Sequence, residues 1–160
     1  MAGVIFLLSD PLLSVNEYVR VSKGNVNIRA APSTRSLTVA SAKQGDTFEL
    51  VGEEGKWYEI DLFSGGQRFL HKSLAKPVSY RPEVPEEVEI RRQVFRAWSE
   101  AGLRAKTEAD QKYPPGKNLE RNLSHEQILG DGYRLEVLQK FGVQPPAYRR
   151  ILIEGYQKGW

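Results

Sequence analysis

The side chains that could carry acid–base or nucleophilic chemistry are few in this sequence. Its 160 residues include two histidines, His71 and His125, and no cysteine. The lack of a thiol excludes a cysteine nucleophile, a thiolate metal site and a disulfide framework. A catalytic histidine needs a nucleophile or carboxylate partner, and the sequence shows no such constellation. We therefore expect a surface or hydrogen-bonding place for His71 and a helix-end place for His125.

Two acidic clusters are the other candidates for catalysis. Glu53 and Glu54 lie in a predicted turn, while Glu86, Glu87 and Glu89 lie at a predicted helix start. Glycosidase chemistry needs two carboxylates on either side of a cleft, in different environments. A turn and a positive helix end already explain these clusters. The sequence thus predicts no catalytic residue, no metal site and no cofactor, and we expect a protein that is not an enzyme.

The basic residues could in principle bind an anion or a nucleic acid. Lys and Arg outnumber Asp and Glu by 23 to 20, which leaves a net charge of +3. The densest basic positions are Arg91-Arg92 and Arg149-Arg150, and Glu89 is spaced to pair with Arg92 on a helix. Binding a phosphate backbone requires several cations that converge on one face. A salt-bridged solvent face is the favoured interpretation, and we expect no nucleic-acid partner.

The first elements that would position these groups are short strands. Alternating apolar residues separated by Gly, Asn, Pro and Ser turns predict five or six strands between residues 17 and 78, with a loop at residues 30–36 that contains Pro32. So many strands in about 60 residues suggest a small, strongly bent barrel. Tyr58 and Ile60 share a parity that points them into it, and Trp57 points the other way.

A helical region is predicted to follow, at residues 79–160. Its first helix begins near Pro85 and ends at Tyr113-Pro-Pro-Gly116. Leu119 and Leu123 suggest one short turn of helix, and Ser124 with Gln127 has the spacing of a capping box that would start a second long helix. Gly142 is a plausible C-cap, and a last helix follows Pro145. The predicted class is α+β, with an all-β barrel followed by two to three helices.

The N-terminal residues 1–16 are predicted to form either an arm that packs on the domain or the remnant of a leader. The apolar run Val4–Leu8 is too short to span a bilayer. No positive residue precedes it and Asp10-Pro11 interrupts it, which departs from a complete signal peptide. Both interpretations stay open, and we expect no transmembrane span.

Four segments together resemble a known family, the bacterial SH3 domain, over about residues 17–76. They are Val26-Asn-Ile-Arg29 with the following Pro32-Ser-Thr34, Gly45 before a strand, Lys56-Trp-Tyr-Glu-Ile60, and Phe69-Leu-His-Lys-Ser-Leu74. Three positions depart from the family pattern: Ala31 and Arg68 replace glycines, and Phe69 replaces Trp or Tyr. The resemblance implies an SH3-like barrel.

The resemblance also implies work at the cell envelope, where such domains commonly hold murein hydrolases and phage lysins on peptidoglycan. No hydrolase segment accompanies the barrel in this sequence. We therefore expect an exported, periplasmic or envelope-located adaptor that binds peptidoglycan peptide or an envelope protein partner without catalysis. The alternative is a structural subunit of a larger envelope-associated complex, with barrel and helices both used for assembly contacts. The sequence leaves the oligomeric state undetermined.

The predicted ligand surface combines the loop at residues 30–36 with Trp57 and the Arg68-Phe69 segment. Arg29 or Arg35 would supply a charge-assisted contact to a carboxylate of a murein peptide. Trp57 would either contact the ligand or plug the barrel against the helical region, and the sequence supports both equally. The candidate ligand-binding residues are Arg29, Ser33, Arg35, Trp57, Arg68 and Phe69.

Overall fold

The structure, a computed structural model, describes residues 18–79 and 83–160. The predicted arm or leader and residues 80–82 of the predicted hinge lie outside the described residues. Within the described part, none of the helices combines the length and apolar character that crossing a bilayer would require.

Seven antiparallel strands form one sheet in the order β3-β2-β6-β5-β4-β1-β7. The predicted small β-barrel is thus confirmed, with one strand more than expected. The extra strand, β7, pairs only with β1, and its Pro77 is tolerated because the strand lies at an edge. The strands are β1 Tyr18–Val21, β2 Val26–Arg29, β3 Thr38–Ala42, β4 Thr47–Glu54, β5 Trp57–Asp61, β6 Arg68–His71 and β7 Ala75–Val78.

The barrel core collects the apolar residues of one parity from each strand. Val19, Ile28, Phe48 and Ile60 are at most 1% exposed and belong to one buried cluster. Tyr58 lies in the same cluster, as its parity with Ile60 predicts. Leu135, from the helical region, is also a member. The barrel therefore buries a helical side chain as part of its own core.

Three helices follow the barrel: α1 Val88–Lys112, α2 Pro115–Phe141 and α3 Tyr148–Lys158. This agrees with the predicted two to three helices. Gly142 ends α2 in the left-handed conformation, with φ of 66° and ψ of 24°, as expected for a glycine C-cap.

The predicted helix start at Ser124 is wrong. Helix α2 passes through this residue without interruption, and its backbone is non-helical at Asn118 instead. Buried Asn122 donates from its amide nitrogen to Asp110 Oδ1 and to the Tyr113 carbonyl, both at 2.8 Å. These bonds tie the first turns of α2 to the end of α1. The spacing of Ser124 and Gln127 therefore does not mark the start of a helix.

Aromatic rings join the helices to the barrel. Trp98 of α1 stacks on Tyr148 of α3 with 4.8 Å between ring centroids. Phe63, which follows β5, packs edge-on against both rings, at 4.8 Å and 5.1 Å. The helical core around Val94, Trp98 and Ile151 is therefore continuous with a barrel residue.

Polar contacts reinforce the same junction. Gln144 accepts a hydrogen bond from the Thr47 amide at 2.9 Å, and Gln139 donates to the Ser41 carbonyl at 3.1 Å. Arg149 of α3 forms ion pairs with Glu49 and Asp61 on neighbouring strands. Burial raises the pKa of Asp61, and the nearby Arg149 partly opposes that rise. The barrel and the helices are thus bonded along three separate strands.

Helices α1 and α3 approach closely at Gly155. A Cβ built on this glycine would overlap the ring of Phe95.

We expect Gly155→Ala to lower the free energy of unfolding by about 1–3 kcal/mol, because the ring must move out of a packed core. Chemical denaturation would measure it. Gly116→Ala is the matched control, since open space surrounds Gly116 in α2; equal effects of the two substitutions would contradict the close packing.

The same helix pair carries an ion-pair cluster with a defined pH response. Arg91 donates to Glu154 at 2.7 Å and 3.0 Å, and Lys158 donates at 2.6 Å. These bonds lower the pKa of Glu154 to about 2. A depressed carboxylate pKa stabilises the fold above the unfolded-state pKa, about 4.3, and this contribution is lost as the pH falls toward 2.

We therefore expect Glu154→Gln to lower the melting temperature at pH 7 and to have a shrinking effect from about pH 5 downward. The effect at neutral pH should be about 1 kcal/mol or less, because the pair is partly exposed to solvent. Thermal unfolding of both proteins between pH 7 and pH 2.5 would measure it. A difference that stays constant over this range would contradict the assignment.

Candidate functional site

The outer face of the barrel brings several predicted site residues together. Arg29 lies opposite Phe69, and Trp57 lies opposite His71 in the antiparallel register. Directly opposed residues share a face of the sheet. Leu70 points to the core, so Phe69 and His71 point away from it. Arg29, Trp57, Phe69 and His71 therefore occupy one face across strands β2, β6 and β5.

A groove with a volume of about 320 Å³ lies over this face. All of its lining residues come from the barrel, and none of the eight is acidic. Trp57 is 9% exposed and packs edge-on against His71, with ring centroids 5.0 Å apart. Trp57 thus faces outward, as its parity predicts, into a barrel groove. The lining residues are Asn25, Val26, Asn27, Arg29, Thr34, Trp57, His71 and Leu74.

The two basic side chains of the groove are held in place by neighbouring backbone. Arg29 Nη1 donates to the Ser36 carbonyl at 2.8 Å, which ties β2 to the loop. The Ser73 amide donates to His71 Nδ1 at 3.2 Å. A neutral His71 therefore carries its proton on Nε2. The groove offers a guanidinium, amides, a hydroxyl and an aromatic edge, which suits a ligand with carbonyl or carboxylate oxygens.

The predicted loop residues Ser33 and Arg35 are exposed but lie outside the groove lining. The loop is built by its own hydrogen bonds: Ser36 Oγ donates to the carbonyls of Ala31 and Ser33, both at 2.9 Å. Ser33 Oγ accepts from the Arg35 amide at 3.2 Å. The loop residue that reaches the groove is Thr34. Contact of Ser33 or Arg35 with a ligand stays a prediction.

Phe69 and Arg68 are both buried and do not line the groove, although Phe69 lies on the same face of the sheet as the groove residues. Phe69 is 2% exposed and Arg68 is 6% exposed. Arg68 lies opposite Ile60 and has the inward parity of Leu70. Its guanidinium forms an ion pair with Asp131 of α2, at 2.8 Å from Nε to Oδ2. The structure thus separates Arg68 from the groove and uses it between barrel and helix.

Asp131 is the acceptor at the centre of this junction. Its carboxylate is fully buried and accepts from the amides of Phe63 and Ser64 at 3.2 Å and 2.9 Å. It also accepts from Ser64 Oγ and Arg68 Nε, each at 2.8 Å. Glycines flank Asp131, and a Cβ on Gly132 would lie 3.2 Å from the Val39 carbonyl oxygen. Gly132 therefore allows α2 to approach the barrel closely enough for these bonds.

A double-mutant cycle would measure this coupling. We expect Asp131→Ala to lower the free energy of unfolding by about 3–5 kcal/mol, because it leaves Arg68 Nε and two backbone amides buried without their acceptor. Arg68→Met should cost about 1–3 kcal/mol, since Asp131 keeps three donors. Chemical denaturation of the single and double variants gives the coupling.

The double variant should be less destabilised than the sum of the two single variants by about 1 kcal/mol or more. Lys72→Met is the matched control, because Lys72 pairs with Glu53 at the surface, where ion pairs contribute little. Strict additivity of Asp131→Ala and Arg68→Met would contradict the junction.

Three groove residues, Asn25, Asn27 and His71, lie outside the ligand surface that the sequence predicts, and Thr34 lies in its loop at residues 30–36 without being singled out. The alternation of β6 contains the relevant signal for His71, because it places this residue on the face of Phe69 and beside Trp57. The approach of Thr34 to the groove depends on the folded loop. No strand alternation predicts that approach.

The clusters considered for catalysis do not converge in the structure. Glu53 pairs with Lys72, and Glu89 pairs with Arg92 at 3.0 Å, as the helix spacing predicts. In residues 18–79 and 83–160, no three His, Asp or Glu side chains group around a metal-sized space. His125 lies inside α2, away from a helix end, and packs edge-on against Tyr113. Burial lowers the pKa of His125.

Comparison with known proteins agrees with the barrel assignment. Residues 24–75 match the family model described as "Bacterial SH3 domain". A curated relative, "Putative N-acetylmuramoyl-L-alanine amidase YrvJ" of Bacillus subtilis (strain 168), is 40% identical over 42 residues. That match covers 26% of this chain and 8% of the relative, so the two share a segment of the barrel. The chain thus carries a bacterial SH3 domain at residues 24–75, followed by a helical region.

Proposed function

We propose that this protein is a non-enzymatic binding module of the bacterial cell envelope whose barrel groove binds peptidoglycan peptide. The observation that carries the proposal is the groove over Arg29, Trp57 and His71. Its volume, about 320 Å³, is in the range of small-ligand sites. An extended peptide segment of one or two residues would fill it.

The chemistry of the groove supports a peptide ligand. Arg29 provides a fixed positive charge, and no lining residue is acidic, so a ligand carboxylate would meet no repulsion within the lining. Asn25, Asn27 and Thr34 are exposed and offer hydrogen-bonding groups to peptide carbonyls and amides. The Trp57 ring provides an apolar contact, as aromatic residues do in binding sites of this kind.

Two further points support a binding function at the cell envelope. The barrel belongs to a domain type that is commonly found in cell-wall binding, and the relative that shares its segment is named as an N-acetylmuramoyl-L-alanine amidase. The shared segment is barrel sequence, so the likeness supports a common binding part. An exported location, in the periplasm or the envelope, follows from this ligand.

The alternative of a structural subunit loses one of its arguments. Arg68 departs from the family's glycine, and a contact with another subunit would explain that departure. The structure accounts for Arg68 within the chain, through its ion pair with Asp131. The departure therefore concerns the helical region of the same molecule and leaves the groove face open.

A sedimentation assay with purified sacculi tests the proposal. The wild-type protein should pellet with sacculi, and Thr34→Trp should lower the bound fraction about tenfold, because the large ring fills the groove. Thr107→Trp is the matched control, since Thr107 is exposed on α1 and does not line the groove.

Circular dichroism would establish that both variants fold. Wild-type protein that stays in the supernatant would overturn the proposal. Equal retention of the Thr34→Trp and wild-type proteins would place sacculus binding outside the groove and would overturn the assignment of the site.

A further inference from the structure

A second small pocket lies where α1 crosses α2, beneath the Ser64–Gly66 turn. It has a volume of about 150 Å³, and it shares no lining residue with the barrel groove. The lining residues are Ser64, Gly102, Ala105, Glu126, Gln127, Gly130 and Arg134.

Arg134 is the unusual residue of this pocket. Its Nε is buried and has no hydrogen-bond partner, and its guanidinium forms no ion pair with a carboxylate of the described residues. The other arginines near the junction, Arg68 and Arg149, are both paired. A half-buried guanidinium without an acceptor is unfavourable, because it loses hydration and gains no hydrogen bond.

Two features hold Arg134 in this position. Its guanidinium carbon lies 5.3 Å from the Trp98 ring, a cation–π distance that offsets part of the lost hydration. One of its terminal nitrogens occupies the space that a side chain at Gly102 would take: a Cβ built there would lie 2.8 Å from Nη2. The guanidinium is therefore presented to the pocket by packing.

Glu126 supplies the opposite charge in the same lining. Its backbone lies two helical turns before that of Arg134 on α2, about 12 Å along the axis at 1.5 Å per residue. The Arg134 side chain covers part of this span, because its Nη1 lies beside Gly130, 3.6 Å from a Cβ built there. Among the described residues Glu126 has no hydrogen-bond or ion-pair partner. The hydrogen bond to Asp110 is the main cause of the raised pKa of Lys106, and the charge of Glu126 adds a smaller contribution. Gln127 adds a neutral amide to the same lining.

We propose that this pocket binds a small zwitterionic α-amino acid. The ligand carboxylate would accept charge-assisted hydrogen bonds from Arg134, and its ammonium group would donate to Glu126. The unpaired Glu126 disfavours a simple anion, and Arg134 disfavours a simple amine, so the pocket selects a ligand that carries both charges. The small volume and the apolar Ala105 limit the ligand side chain to a hydrogen or a methyl group.

Titration of the full chain by ¹H–¹⁵N correlation NMR tests this inference with glycine and alanine as probes. Alanine should shift the amide signals of Gly102 and Gly130 with a dissociation constant on the order of 1 mM, as expected for a ligand of so few atoms. Arg134→Gln and Glu126→Gln should each weaken binding about tenfold or more. Glu126→Gln keeps the test valid if loss of Arg134 affects folding.

Arg121→Gln and Glu120→Gln are the matched controls, because both residues are exposed on α2 and outside the pocket. Acetate and methylamine each carry half of the proposed ligand and should bind at least tenfold more weakly than alanine. The inference is overturned if no probe shifts the glycine amides, or if acetate binds as well as alanine. Binding to sacculi through the groove is measured separately, so the pocket proposal and the proposed function can be contradicted independently of each other.

Discussion

The buried carboxylate of Asp131 is the constraint on which the arrangement of this molecule depends. It accepts four hydrogen bonds from one end of the barrel, from the amides of Phe63 and Ser64, the Ser64 hydroxyl and Arg68. A buried carboxylate is very costly without such partners. Helix α2 can therefore satisfy Asp131 in one position against the barrel, and Leu135, one turn later, enters the barrel core from there.

This constraint divides the barrel into two faces with different roles. The end near Arg68 and Phe63 is bonded to the helices, and the outer face of β2, β6 and β5 keeps the groove with Arg29, Trp57 and His71. The departure at Arg68 from the pattern of bacterial SH3 domains belongs to the first face. It is a feature of how this barrel joins its helical region, and it leaves the groove intact.

The distribution of paired and unpaired charge follows the same logic. Arg68, Arg91 and Arg149 meet carboxylates across element boundaries, so their charges hold the fold together. Arg134 and Glu126 line one pocket and have no such partners among the described residues. The net charge of +3 does not distinguish the paired charges from the unpaired ones. Local pairing decides which charges remain available to a ligand.

Local periodicity in the sequence determined the barrel, its inward-facing Tyr58 and Ile60, the outward Trp57, the helical region and the Gly142 cap, because each depends on alternation, helical spacing or a turn residue. Local periodicity failed at Ser124, where a capping-box pattern lies inside a helix whose actual break is at Asn118. The tertiary structure alone decided that Arg68 is buried, that Thr34 joins the groove, and that Arg134 faces a pocket. Each of these depends on a partner more than thirty residues away or on the fold of a loop, and such partners leave no periodic trace along the chain.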